Sequence, residues 1–295
     1  MEKLSGVIPP MTTPFTKNDE VDYKLLKADA KYLIEKAKVH GLAVGGSTGE
    51  GHTLTTEELR ASLEVVTKEA KGRVPVIAGV IVDSTKQAIE RCKALDGLDI
   101  AALQVTPVHY LFKPDDEAMY KHFKTISEAV KRPILIYNVI PWSYCSPQLL
   151  TKIITEVPGV VGVKQSASDI KLLANLILCL NGRGLIFSAV DALLYPSFAL
   201  GANGTISAIP TAVPEVVVDL WNQVQAGDHV KARKTHERLL TIWNTLDADN
   251  LPANTKTAME LQGRKAGLPR PPMPPSSEAQ KAAIKKALKD TGVIK

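Results

Sequence analysis

Apolar residues gather in eight short runs along this chain, and each run is followed by a longer stretch in which apolar and polar residues alternate. The runs are GVIPPMTTP (6–14), GLAVGG (41–46), VPVIAGVI (74–81), IAALQVTP (100–107), PILIYNVI (133–140), VVGVKQS (160–166), LIFSAV (185–190) and GTISAI (204–209). They are short and rich in β-branched residues, and they lack the two-residue alternation of a half-exposed strand. Such runs predict strands covered on both faces. The intervening stretches carry helix signals. Thr55 and Glu58 form a capping-box pattern ahead of Leu59, Leu63 and Val66, Ser84 and Gln87 repeat it, and Ser146-Pro147 places a cap before a proline at the first helical position. Eight strands alternating with helices predict a parallel sheet, and closed on itself this is an α/β fold of the (β/α)8 TIM-barrel class. An open doubly wound sheet is the alternative, but the glycines of the second run have the order G-x-x-G-x-G and not the dinucleotide fingerprint. Further helical stretches are expected near 213–246, 252–263 and 277–290, with the Pro-rich connector GLPRPPMPPSS (267–277) ordered against the body. One domain over 1–295 is expected, with the barrel over about 6–225 and a C-terminal helical extension over about 226–295.

Composition narrows the class without changing this picture. The chain is 45% hydrophobic and 23% charged, a globular balance. Its net charge of +5 is scattered, and the densest basic run, KKALKDTGVIK, contains Asp290, so it reads as a solvated helix end and no nucleic-acid partner is expected. Cys92, Cys145 and Cys179 are far apart and form no C-x-x-C, which argues against a zinc site or disulfide framework and for a reducing compartment. The start MEKLSGVIPPMTTPF does not read as a signal peptide, and no apolar run approaches the ~18 residues of a membrane span, so a cytoplasmic protein without a membrane partner is expected.

In a barrel of this class the chemistry sits at the C-terminal ends of the strands. Polar residues there are Ser47, Thr48 and Glu50 after the second run, Thr106, His109 and Tyr110 after the fourth, Tyr137 and Asn138 in the fifth, Lys164 in the sixth, Asp191 after the seventh and Ser207 near the eighth. Lys164 is the sharpest. Desolvating an ammonium is expensive, which favours the neutral amine, a nucleophile for carbonyl carbon; a salt-bridged or snorkelling lysine is the structural alternative. Tyr137 is either core packing or a phenol placed one strand from that amine, with Thr48 as a candidate hydroxyl relay. Glu50 and Asp191 suit loop organisation as well as acid–base work. The loop GLAVGGSTGEGHTL lacks the lysine of a phosphate loop but offers backbone N–H groups to an anionic oxygen such as a carboxylate. No histidine pattern or G-x-S-x-G elbow is present, so no metal and no cofactor is expected.

These residues resemble a known family. GGSTGE is similar to its G-T-T-G-E loop, YNVIP to its tyrosine motif and GVVGVKQSASD to its lysine strand. ALGANGTISAIPTAVPE and LPANTKTAMELQGRKAGLPRPP follow its last strand and C-terminal stretch. The chain, from about Gly6 to Ala287, thus resembles the dihydrodipicolinate synthase / N-acetylneuraminate lyase family of Schiff-base barrel enzymes. The resemblance implies an imine between Lys164 and a 2-keto acid, typically pyruvate, with Tyr137 moving protons and Thr48 relaying them. It implies carboxylate binding by Ser47 and Thr48, with Gly46 opening the loop, and places the carbonyl of Ile206 near the lysine. It also implies a homotetramer, and a tyrosine after the fourth strand that in some members reaches a neighbouring subunit's site; here either His109 or Tyr110 takes that place.

The departures bear on substrate. Dihydrodipicolinate synthases carry an Arg shortly after the tyrosine motif for a second carboxylate, but no Arg occurs between Arg132 and Arg183, and ungapped counting puts Trp142 there. With Tyr144 and Phe112, Trp142 points to a second substrate that is uncharged or aromatic. The expected function is a class I aldolase-type lyase acting on a small molecule, a 2-keto acid with an aldehyde as candidate second substrate, and not a true dihydrodipicolinate synthase. The alternatives are an imine-dependent dehydratase or hydratase of a sugar-acid-like substrate, an amide hydrolase on the same barrel, or a non-catalytic binding barrel.

Overall fold

The computed structural model describes residues 4–295. Eight parallel strands form the sheet: β1 (Gly6–Val7), β2 (Leu42–Val44), β3 (Val76–Val80), β4 (Ala102–Val105), β5 (Ile134–Asn138), β6 (Val160–Gln165), β7 (Leu185–Ser188) and β8 (Gly204–Thr205). β2 through β8 pair in sequence order and β8 pairs with β1. The ring closes between β1 and β2 at one bridge, where the Met11 N–H donates to the Ala43 carbonyl at 2.8 Å and the Ala43 N–H to Pro9 at 3.0 Å. All eight apolar runs therefore become strands. β1 is much shorter than its run because Pro9 and Pro10 have no N–H to give to a ladder.

Helices α1 (Tyr23–Glu35), α2 (Thr56–Ala70), α3 (Thr85–Lys93), α4 (Asp116–Val130), α5 (Pro147–Glu156), α6 (Ile170–Leu180) and α7 (Leu194–Ala199) connect successive strands. After β8 follow α8 (Ile209–Ala212), α9 (Pro214–Gln225), α10 (His229–Leu246), α11 (Leu251–Leu261) and α12 (Glu278–Asp290). The Thr55–Glu58 capping box forms in full, and Ser146 caps α5 by accepting from the Leu149 N–H. At α3 only half of the expected box is made: Ser84 accepts from the Gln87 N–H, and Gln87 does not return a bond. The stretch expected near 213–246 splits at Gly227, whose φ of +74° a helix cannot continue through. Residues 267–277 lie against the body, with Phe15 and Leu268 exchanging backbone hydrogen bonds.

The core has two compartments, as strand alternation requires. Ile8, Ala43, Ile77, Ala102, Leu135, Phe187 and Ile206 fill the barrel interior. Val7, Val44, Val80, Val105, Ile136 and Val163 face outward and pack under the helices. Two residues beyond Leu135, Tyr137 must face inward again, and one residue beyond Val163 so must Lys164. The same period that builds the core thus aims both side chains into the mouth.

Candidate active site

Tyr137 on β5 and Lys164 on β6 are direct register partners. The Lys164 Nζ stands 4.1 Å from the centroid of the Tyr137 ring, and the lysine is only 4% exposed. A buried amine on the negative face of an aromatic ring is partly compensated for its lost water. The phenol is held in turn by Ser47: its oxygen lies 2.9 Å from Ser47 Oγ and accepts the Ser47 N–H at 3.1 Å. Burial alone would raise the phenol, but the Lys164 charge and the bonds from Ser47 and Lys164 outweigh it and hold Tyr137 below its ordinary value. The amine thus lies against the ring whose phenol is bonded to the Ser47 hydroxyl.

The hydroxyl bonded to the phenol is that of Ser47 and not that of Thr48, where the relay was expected. Residues 47–49 form a single 3-10 turn, and the turn carries adjacent side chains to different sides. Thr48 is buried beside the site, and its N–H makes no hydrogen bond among the described residues. The glycines have a packing reason as well as a ligand reason. A Cβ at Gly51 would lie 1.9 Å from the Gly45 carbonyl oxygen, and one at Gly79 would lie 2.3 Å from it, so loop and strand touch backbone to backbone. Gly46 has an ordinary extended backbone (φ −81°), and the phenol of Tyr137 passes beside its Cα.

This loop is anchored from the far end of the chain. Glu50 adopts a left-handed conformation (φ 55°) and is fully buried. Its Oε1 accepts from Lys256 Nζ at 2.6 Å and its Oε2 from the Arg270 N–H at 2.8 Å. Burial holds Lys256 below its ordinary value against the pull of Glu50. Glu50 is thus an organiser of the loop, which settles one of the two roles its position allowed.

Across the mouth, Asp191 bridges the last two strands. Its Oδ1 accepts the Ile209 N–H at 2.6 Å. Burial pushes its carboxyl up to about 6, against the opposing pull of the Ile209 N–H, Ser207 and Lys164. Ile206 sends its side chain into the barrel interior, and its N–H donates to Ser188 at 3.0 Å, which fixes its main chain at the rim.

The loops after β4 and β5 behave differently. The His109 and Tyr110 N–H groups both donate to Asp83 Oδ1, and the His109 ring turns to Pro107 and Asp83. Tyr110 is 67% exposed. No hydrogen bond joins either side chain to Tyr137 or Ser47 among the described residues, so within one chain neither completes the relay. Trp142 is also 67% exposed, its indole N–H donating to the His109 carbonyl at 2.9 Å. Tyr144 donates to the Ser166 carbonyl at 3.1 Å, and Phe112 is exposed. The aromatic residues after β4 and β5 therefore make an open rim of Tyr110, Phe112 and Trp142, with Tyr144 folded down beneath it.

Among the described residues no group of three or more His, Cys, Asp or Glu side chains stands where it could hold a metal ion, and no helix is long and apolar enough to cross a membrane. The model of the dihydrodipicolinate synthetase family matches residues 3–291. The chain belongs to the dihydrodipicolinate synthetase family. It is a lyase of the class I aldolase type. It is 34% identical to a 4-hydroxy-tetrahydrodipicolinate synthase of Methanopyrus kandleri, over 99% of this chain and 98% of that one. With its counterpart from Phenylobacterium zucineum it shares 37% identity over 98% of each. Its fold matches that of a chloride-inhibited dihydrodipicolinate synthase from Acinetobacter baumannii, complexed with pyruvate, with a TM-score of 0.93 and 30% identity over 99% of this chain and 100% of that one.

Two buried polar residues near the mouth escaped the sequence reading. Lys256 sits in α11, where Asn254, Thr255 and Lys256 are all buried, and no apolar periodicity marks that face. Gln104 is a polar residue inside an apolar run, the same signal that marks Lys164, but it pairs with Leu135, one layer below the strand ends where barrel chemistry sits.

Proposed function

We propose that the chain forms an imine between Lys164 and pyruvate or a close 2-keto acid, and makes or breaks the carbon–carbon bond next to it. The observation that carries this reading is the buried Lys164 amine lying on the ring of Tyr137, whose phenol is bonded to Ser47. The amine attacks the ketone carbon, the carbinolamine loses water, and the imine withdraws electrons from the adjacent carbon. Tyr137 gives and takes the protons of those steps, with Ser47 as its relay. The Thr48 N–H and the other donors of the loop receive the keto acid's carboxylate. Ile206 and Asp191 close the opposite side.

We further propose that the second substrate lacks the carboxylate expected of a dihydrodipicolinate synthase substrate. No Arg lies between Arg132 and Arg183, and Trp142 occupies the rim after β5. Lys113, from the loop after β4, is engaged by the Tyr144 carbonyl at 2.8 Å. A carboxylate at that rim finds aromatic surface in place of a bidentate partner. Borohydride reduction with pyruvate, read by intact mass, tests the imine. Comparing kcat/KM for aspartate semialdehyde with neutral aliphatic and aromatic aldehydes, each with pyruvate, tests the second half; the reading expects a neutral aldehyde to be preferred, and preference for aspartate semialdehyde over every neutral aldehyde contradicts it.

Assembly into a homotetramer is part of the same proposal. The exposed Tyr110, Leu111, Phe112 and Trp142 leave apolar surface on one side of the mouth, as subunit contacts do. Light scattering on the eluting protein reads the number of chains.

A further inference from the structure

Gln104 stands out among the side chains around the mouth. It projects from β4 with no exposure to solvent, and among the described residues neither its Oε1 nor its Nε2 has a hydrogen-bond partner. Ala102, two residues earlier on the same strand, lies in the interior cluster, so Gln104 faces inward as well. A buried carboxamide left unbonded is costly, and native interiors rarely tolerate one without a use.

Its position indicates the use. A methyl group built on Gly46 would meet three atoms: the Tyr137 phenol oxygen at 3.6 Å, Pro10 Cβ at 3.8 Å and Gln104 Nε2 at 3.9 Å. Gln104 pairs with Leu135, one layer below Tyr137, and its carboxamide reaches up to the same side of Gly46 as the phenol. The glycine loop is expected to bind a carboxylate through the N–H groups of Ser47 and Thr48, but the Ser47 N–H is already given to Tyr137. That leaves the Thr48 N–H as a free backbone donor, whereas a carboxylate has two oxygens to satisfy. The two ends of a carboxamide exchange by a half-turn, so Gln104 can present its N–H groups to an oxygen placed there.

We propose that Gln104 is a specificity-determining residue, whose side-chain N–H is the second donor to the carboxylate of the 2-keto acid bound at Lys164. The assignment rests on the imine reading above. Gln104 is neutral, so it selects a carboxylate by hydrogen bonding and leaves the proton relay of Tyr137 and Ser47 uncharged.

The test is the pyruvate concentration that gives half-maximal borohydride trapping on Lys164, measured with pyruvate and with methyl pyruvate, alongside the melting temperature without ligand. In Gln104→Met the half-saturating pyruvate should rise about ten- to a hundredfold, the range for one hydrogen bond to a charged group. Methyl pyruvate, whose ester carries no charge, should change by less than about threefold. The melting temperature should hold or rise, because an unbonded buried amide has been replaced by an apolar chain of similar length. Gln104→Glu, of nearly the same shape, should lose pyruvate more strongly still and keep methyl pyruvate, which gives the reading if the Met variant does not accumulate folded. An unchanged half-saturation for pyruvate overturns the proposal, as does an equal loss for both ligands with a lowered melting temperature, which is the mark of packing alone. Absence of any adduct on the wild-type chain, with any 2-keto acid, overturns the imine reading and this proposal together.

Discussion

The two walls that flank Tyr137 are built in opposite ways. The wall after β2 is buried, close-packed through Gly45, Gly51 and Gly79, and pinned by the Glu50–Lys256 pair and the Arg270 N–H. The wall after β4 and β5 is open, carries Tyr110, Leu111, Phe112 and Trp142 in solvent, and is held by main-chain bonds such as that from Trp142 to His109. In the proposed reaction the first wall meets the keto acid bound to Lys164, and the second faces its reaction partner. A fixed wall keeps the imine chemistry aligned to within a fraction of an ångström, and an open wall lets the partner change without disturbing it.

The sharpest way to break this division is at its hinge residue. Tyr137→Phe keeps the ring under Lys164 and removes only the phenol. Turnover should fall by about 10²–10⁴-fold, the range for an acid–base group, with the melting temperature nearly unchanged. An unaltered rate would make Tyr137 a packing residue. Next in size is the anchor of the buried wall. Lys256→Met leaves the Glu50 carboxylate buried without its cation, and removing one partner of such a pair costs about 3–5 kcal/mol. Denaturant unfolding should show that loss, and adding Glu50→Gln should recover most of it. A loss below about 1 kcal/mol would mean that the pair does not hold the loop.

Lys164 and Tyr137 were legible because a polar or aromatic group interrupts an apolar run at a strand end, where barrel chemistry belongs. The eight strands were legible for a related reason: a strand covered on both faces leaves an unbroken apolar signature. Ser47 and Thr48 were not separable, since both are hydroxyl residues next to each other and only the 3-10 turn decides which one faces the phenol. The Glu50–Lys256 pair spans 206 residues, and nothing local to either residue announces the other. The aromatic rim was legible as composition and not as geometry: Trp142 and Phe112 do stand near the mouth, but they lie in solvent, and Tyr144 bonds downward to Ser166.

The smallest effect is expected at the open wall. Trp142→Ala should leave pyruvate trapping within about twofold, because an exposed side chain contributes little to the buried site. The same variant should alter the ranking of aldehydes, lowering kcat/KM for aromatic ones by about threefold to tenfold, as expected for loss of one ring contact. A tenfold loss of pyruvate trapping would show the two walls to be coupled and would contradict the division drawn above.

In the proposed reaction Lys164 forms the covalent bond. The most direct measurement is borohydride reduction with pyruvate followed by intact-mass and peptide analysis of the wild type and of Lys164→Ala. One reduced pyruvate adduct per wild-type chain is expected, located on Lys164, and none on the variant. An adduct of equal yield on the variant, or one mapped to Lys256 or Lys113 in the wild type, would contradict it.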